Sequence, residues 1–422
     1  MSHSAAVPDS ALPAKRKLPV AVYVLGLAVF ALGTSEFMLS GLLPPIADDL
    51  GVSIPDAGLL ISAFAIGMVV GAPLLAAGTI RLPRRTTLIG LLIVFAAGHV
   101  VGAVADSYAL LFATRVISAL ACAGFWAVGA AVAISMVPVD ARARAMGVIV
   151  GGLSVANVAG VPGGAFLGQH LGWRSAFWAV TVMTLVALVG VVTLVPKTDR
   201  KPGEEPPRLK AELQVYRNPQ VWLAMGTVAL FAASVFSFFS YLAPLLEDVS
   251  GLSEGWVPMV LALFGVGAFI GTTIGGRVAD DHLFGTLYTG LSATVVVLIL
   301  ATFLADYPIA MVILSGLLGL AAFTTAPALN ARVFNIANGA PTLAGATATS
   351  SFNVGNTVGP WLGGLVINAG LGYRSTAWTG AILAALAVAA VAVASRTARS
   401  ETRLVAASEV PADTEVPAAV RD

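Results

Sequence analysis

The sequence predicts an all-α membrane protein of twelve transmembrane helices arranged as two pseudo-symmetric six-helix bundles. Three observations support this. Of the 422 residues 58% are hydrophobic and 11% charged, whereas soluble globular chains usually carry about 25% charged residues. Apolar runs long enough to cross ~30 Å of hydrocarbon as helices recur along nearly the whole chain. The chain also repeats itself at an offset of 200 residues: LGWRSAFW at 171–178 returns as LGYRSTAW at 371–378. Gly67, Gly71, Pro44 and Asp48 find their mates in Gly267, Gly271, Pro244 and Asp248. Matches that include Trp, Arg, Asp and Pro at one fixed offset are not compositional coincidence.

Taken in order, the spans fall at about 20–43, 56–78, 86–105, 109–137, 145–168 and 175–195, then 221–243, 256–276, 284–304, 308–331, 345–369 and 375–395. The first run is too long for a signal-peptide core and is followed by eleven more, so it is retained as helix 1. The second carries Gly67 and Gly71, the third His99, and the fourth Arg115 and Cys122. The fifth carries Gly160, Gly164 and Gly168, four residues apart, with Pro162 beside them to permit a bend. The sixth closes the first bundle, 18–195, and residues 196–220, rich in Pro and charge, form the linker. Spans seven to twelve repeat the first six as a second bundle, 221–395, with Gly359 and Gly363 in the eleventh. A short tail, 1–17, precedes the bundles, and a polar, Pro/Ala-rich tail, 396–422, follows and is expected to be disordered.

Loops assigned alternately to two sides place all Lys and Arg on one side except Arg115, Arg174 and Arg374. That side is cytoplasmic by the positive-inside rule, which puts both termini inside. A net charge of +1 and dispersed basic residues give no footprint for nucleic acid. The single cysteine, Cys122, rules out an internal disulfide framework. The stretch GTTIGGRV at 271–278 misses a phosphate loop at Arg277 and Val278, and no His-Glu-x-x-His or Gly-x-Ser-x-Gly occurs. No ATP site, metal site, cofactor or enzymatic centre is therefore expected.

The string GGLSVANVAGVPGGAFLG (151–168) resembles the antiporter motif of the major facilitator superfamily, with Gly152, Asn157, Gly160, Pro162, Gly164 and Gly168 in its pattern. With GTSEFMLSGLLPPIADDLGVS (33–53) and FAIGMVVGAPLL (64–75), residues 18–395 resemble the 12-span drug:H+ antiporter group that includes bacterial chloramphenicol-resistance exporters. The group also holds exporters of arabinose-like sugars and purine nucleosides. The resemblance implies two bundles rocking about a central site, in a monomer in the bacterial cytoplasmic membrane, exchanging a drug for protons. It also implies a charged cytoplasmic gate after helix 2. Here AAGTIRLPRR (76–85) keeps Arg81, Arg84 and Arg85 but has Ile80 where the family carries Asp, while the second half keeps Asp280. Those arginines equally serve to set topology.

Apart from Asp56 at the first position of the second span, Glu36 and Arg115 are the one acid and one arginine inside the predicted span boundaries. At ~1.5 Å per residue each lies about 10 Å below the outer face, so the two are level. Intramembrane charges face protein or a water cavity, and a carboxylate there changes its charge state with its surroundings. By resemblance, helices 1, 4, 7 and 10 line the cavity, so the two can meet there as the proton-coupling pair. His99 lies at similar depth in a helix that is peripheral in this fold and reads as structural. The 200-residue offset sets Phe236 opposite Glu36, Ser240 opposite Ser40 and Ser315 opposite Arg115. These residues, with Phe37, Tyr241, Asn330, Asn353 and Asn356, are the candidate substrate cavity, suited to an uncharged or weakly polar aromatic compound. A sugar or nucleoside exporter and a transport-inactive membrane sensor are the competing readings.

Overall fold

The computed structural model describes residues 17–79, 82–138, 141–197, 213–279, 281–337 and 341–408. Every regular element among them is a helix. In the first half α1 (Val20–Phe37) yields to a 3₁₀ turn (Met38–Gly41) and to the short α2 (Leu43–Leu50). Then follow α3 (Ile54–Gly78), α4 (Arg84–Ala103), α5 (Tyr108–Ser135) and α6 (Arg142–Val155). A π-turn (Ala156–Gly160) joins α6 to α7 (Val161–Leu171), and α8 (Arg174–Leu194) completes the half. The second half has α9 (Pro219–Phe239), α10 (Leu242–Asp248), α11 (Val257–Ala279), α12 (Leu283–Phe303), α13 (Pro308–Ile336) and α14 (Pro341–Val366). Another π-turn (Ile367–Leu371) leads to α15 (Ser375–Ser408).

Eleven described helical stretches are long and apolar enough to cross a bilayer. The eleventh predicted span, α14, carries Thr, Ser and Asn through its middle and is the more polar one, yet it takes its expected place against α9 and α3. Two boundaries moved. Helix 13 runs on to Ile336, which brings Arg332 inside a span, and α15 runs to Ser408, well past residue 395. Most of the expected linker, 198–212, lies outside the described residues, as do residues 1–16 and 409–422.

The repeat extends to backbone geometry. Gly51 and Gly251 close equivalent turns at φ +63° and +68°, and Gly172 and Gly372 do so at +81° and +71°. These are left-handed conformations in which a Cβ is costly. Arg174 pairs with Asp49 at 2.6 Å, and its mate Arg374 pairs with Asp306.

Apolar side chains form one large cluster per half. Tyr241 of the second half sits in the first cluster, and Phe37 of the first half sits in the second. Between the halves α3 lies along α14, and α11 packs on the π-turn and α7 but barely touches α6. The inter-half contacts concentrate toward the end that carries Gly51, Gly172 and Gly251: Ser62 Oγ donates to Thr357 O at 2.9 Å, and Gln169 Nε2 to Glu254 O at 2.6 Å. Gly265 approaches Asn157 so closely that a Cβ would sit 2.3 Å from its carbonyl oxygen. The seam is closed at this acidic end and thins toward the basic one.

Candidate functional site

Helix α1 stops at Phe37, inside the membrane-spanning region, where freed carbonyls cannot turn to water. Met38 N–H takes the carbonyl of Thr34. The carbonyl of Ser35 is taken by Arg115, whose Nη2 donates to it at 2.8 Å while Nη1 donates to Ser35 Oγ at 2.8 Å. A cation at a helix C-terminus also meets the negative end of the helix dipole. Arg115 is buried, and its guanidinium lies 4.3 Å above the Phe64 ring, a cation–π contact in a desolvated place.

The depth arithmetic therefore holds, but the expected pairing does not. Arg115 grips Ser35, and among the described residues no ion pair or hydrogen bond joins it to Glu36. Adjacent helical positions point about 100° apart, so level residues need not face one another. Glu36 is buried at 8% exposure and is near enough to Arg115 and Cys122 for attraction or repulsion through space.

His99 is the residue that sequence reasoning set aside. It is 1% exposed, its Nε2 lies 2.6 Å from Ser35 Oγ, and its Nδ1 lies 2.8 Å from Phe95 O. Glycines make this reach possible. A Cβ on Gly98 would stand 2.4 Å from Ser118 Oγ, and one on Gly102 would stand 3.0 Å from the Phe177 ring, so α4 lies hard against α5 and α8. The spacing of Gly98 and Gly102 around His99 was the available signal.

On the second half, Phe236 stacks on Phe37 across the seam, with ring centroids 5.4 Å apart and planes 20° apart. Phe236 also meets Phe239 and Phe352 edge-on, and Phe239 stacks on Phe264 at 4.2 Å. Phe37, Phe236, Phe239, Phe264 and Phe352 thus form one continuous aromatic array. Ser40 and Ser240 are buried, and Ser240 Oγ has no partner. Asn353 and Asn356 are buried with unpartnered Oδ1 atoms, although Asn353 Nδ2 donates to Thr349 O. Ser315, by contrast, spends its hydroxyl on Met311 O in its own helix.

Two expectations, on Tyr241 and on Arg115, need correction. Tyr241 does not line a cavity: its hydroxyl donates to Pro360 O at 2.8 Å and its ring wedges between Gly58 and the Gly363–Gly364 pair. Asn330 is exposed, near the basic end of α13. Arg115 is not the one arginine within a span, since Arg332 is 3% exposed in α13 with Nη1 unpartnered. The Arg85 Nη2 donates to Val192 O, near the C-terminus of α8. Arg84 begins α4, while Arg81 and Asp280 lie outside the described residues.

The glycine face of the antiporter string packs within its own half, while Asn157 and Val158 meet Gly265 of the second half. Cβ atoms on Gly152, Gly160 and Gly168 would stand 2.3 Å from Gly26 O, 2.0 Å from Thr34 Oγ1 and 2.2 Å from Leu42 Cδ2. Gly164 meets Met38 in the same groove. Pro162 opens α7, where its missing N–H costs little, and Asn157 bonds back to Leu153 O within the π-turn region. These glycines let helix 5 seat against helix 1.

Comparison with known proteins agrees with this architecture. The family description "Major Facilitator Superfamily" matches residues 25–346. The chain is 43% identical over 374 residues to the chloramphenicol resistance protein of Streptomyces lividans, covering 88% of this chain and 95% of that protein. It is 37% identical to the inner membrane transport protein YdhP of Escherichia coli (strain K12), covering 90% and 97%. Its fold matches the crystal structure of a bacterial homologue of the human lysosomal transporter Spinster with a TM-score of 0.75 at 20% identity, covering 90% of this chain and 97% of that one.

Proposed function

Because this chain belongs to the major facilitator superfamily, we propose that it is a proton-coupled antiporter that exports small drugs, chloramphenicol-like antibiotics foremost, by alternating access. The observation that carries this reading is a buried carboxylate with no ion-pair partner, Glu36, set beside an arginine held by the neighbouring residue, at the seam where Phe37 stacks on Phe236. A buried acid next to a movable cation is a loadable proton site, because its charge state follows its surroundings. With the cavity open outward, Glu36 takes a proton as drug leaves. With the cavity open inward, arriving drug and closer approach of Arg115 favour the anion, and the proton passes to the cytoplasm.

The second half supplies the drug surface. Phe236, Phe239 and Phe352 offer ring faces and edges, and the unpartnered Ser240 Oγ, Asn353 Oδ1 and Asn356 Oδ1 offer hydrogen bonds. An uncharged aromatic compound with hydroxyl and amide groups suits this combination, and a relative at 43% identity bears the name of chloramphenicol resistance. The same polar atoms would serve a sugar or nucleoside, which is the second reading.

In this reading the protein is a monomer of the bacterial cytoplasmic membrane with both termini in the cytoplasm, driven by the proton gradient, with no ATP site and no cofactor. The closed acidic end is then periplasmic, and the structure is an inward-open state. Cells expressing the protein should gain chloramphenicol resistance, and proteoliposomes should acidify or alkalinise in step with drug movement. Resistance that leaves chloramphenicol untouched but extends to sugar analogues selects the second reading. If Glu36→Gln still concentrates drug in response to a proton gradient, the proton site is elsewhere.

A further inference from the structure

We infer that His99 is a positioning residue: through Ser35 it holds the Arg115 guanidinium on the end of α1, and so keeps the arginine from turning to Glu36. The inference rests on the proton-site reading above and deepens it.

Proton accounting fixes the direction of every link. A carbonyl oxygen only accepts, so the 2.8 Å contact of His99 Nδ1 with Phe95 O places a proton on Nδ1. Arg115 Nη1 only donates, so Ser35 Oγ accepts from it at 2.8 Å. The Ser35 hydroxyl proton then goes to Nε2, 2.6 Å away, which must carry a lone pair. The chain Arg115 → Ser35 → His99 → Phe95 gives every polar atom in it a partner except Arg115 Nε, which is buried without one. A second proton on His99 would place two cationic donors around one serine oxygen and leave the hydroxyl proton without its acceptor. The link to Arg115 would then be released.

The surroundings fit such a role. From α1 the network is faced by Ser35 with Glu36 beside it, from α5 by Arg115 with the Cys122 thiol further along, and from α8 by Phe177, whose ring lies 5.7 Å from the imidazole. No carboxylate forms an ion pair with Arg115 among the described residues, so Ser35 is its anchor. The network also exists in one copy: the repeat mates of Ser35, His99 and Arg115 are Val235, Ile299 and Ser315. A packing histidine would have needed no such company, whereas a device tied to Glu36 belongs in the half that holds it.

The test uses the full-length protein in proteoliposomes with chloramphenicol as probe, and compares His99→Phe with His99→Gln. Phe keeps ring volume but accepts no hydrogen bond; Gln can accept the Ser35 hydroxyl. With the arginine freed, the carboxylate's charged form is favoured, so His99→Phe should move half-maximal exchange toward acid by about half a pH unit or more. His99→Gln should keep the wild-type profile. If Phe keeps it and Gln loses it, the imidazole only fills space and the inference is overturned. If both keep it while Glu36→Gln abolishes proton coupling, the inference falls and the proton-site reading stands. Nitrogen NMR of ¹⁵N-histidine protein in nanodiscs gives a readout independent of any substrate. The His99 signal should show the Nδ1–H tautomer across about pH 5 to 8 and shift on Ser35→Ala; an Nε2–H tautomer, or no response to Ser35→Ala, refutes the inference.

Discussion

Gly58→Ala is predicted to unseal the acidic end without unfolding the protein. Gly58 is buried in α3 directly against Tyr241, and an added Cβ would stand 2.3 Å from its Oη, 2.8 Å from Cζ and 3.0 Å from Cε1. The ring cannot easily retreat, because its hydroxyl is held by Pro360 O and its far edge lies against Gly363. Overpacking of this kind costs about 1–3 kcal/mol. The clash spans the two halves, so the cost falls on the closed seam and is relieved when the seam opens, a shift of about 5- to 150-fold in the closed-to-open ratio. In a Cys122→Ser background, a cysteine replacing the buried Ser40 reports the change by its labelling rate with an impermeant maleimide added from the acidic side. The rate should rise within that range, and Tyr241→Phe, which removes the atom met at 2.3 Å, should return part of it. An unchanged rate in folded protein would show that Tyr241 is not a wedge and that the seam closes by other contacts.

Gly152→Ala should instead lower thermal stability, by about 1–3 kcal/mol, because its Cβ would strike the backbone oxygen of Gly26 within one half; Gly163→Ala, with open space around it, should leave the melting temperature unchanged. Replacing Phe37 by Leu removes the stack on Phe236, which contributes about 0.5–1.5 kcal/mol, and should weaken apparent affinity for an aromatic drug roughly two- to tenfold in proteoliposome uptake. The hydrogen bond from Arg174 holds the Asp49 carboxyl below the usual carboxylate range. Its stabilisation is present above the unfolded value and is lost as pH falls through the folded one. Thermal melts of wild type and Asp49→Asn should therefore differ at pH 7 and converge in strongly acid buffer, by a small amount since the pair is partly exposed.

What the sequence made legible was depth, and what it hid was azimuth. Hydropathy placed the spans, and the rise per residue put Glu36 and Arg115 at one level, because both quantities run along the helix axis. Which of Ser35 and Glu36 faces Arg115 depends on rotation about that axis and on where α1 ends, and the break at Phe37 carries no hydropathy signal. His99 was set aside on the place of its helix, whereas Gly98 and Gly102 draw that helix inward. Tyr241 was one residue from Ser240 and was assigned to the same cavity, but the turn after α9 sends it into the seam. Four glycines of the antiporter string line one face that meets the first span from Gly26 to Leu42, a partner that spacing alone does not name.

The 200-residue repeat preserves turns, glycines and the surface arginines Arg174 and Arg374, yet the Ser35–His99–Arg115 chain stands in one copy and the larger phenylalanine array in the other. After a duplication, such a split frees each copy from the other's constraint. On the proposed function, drift in α9 and α14 can retune what is recognised while the half that holds Glu36 stays fixed. Descendants that export different compounds are thus expected to differ most at the positions of Phe236, Ser240, Asn353 and Asn356. On the same reading, a gene built from two first halves would inherit an engine without a cargo bay.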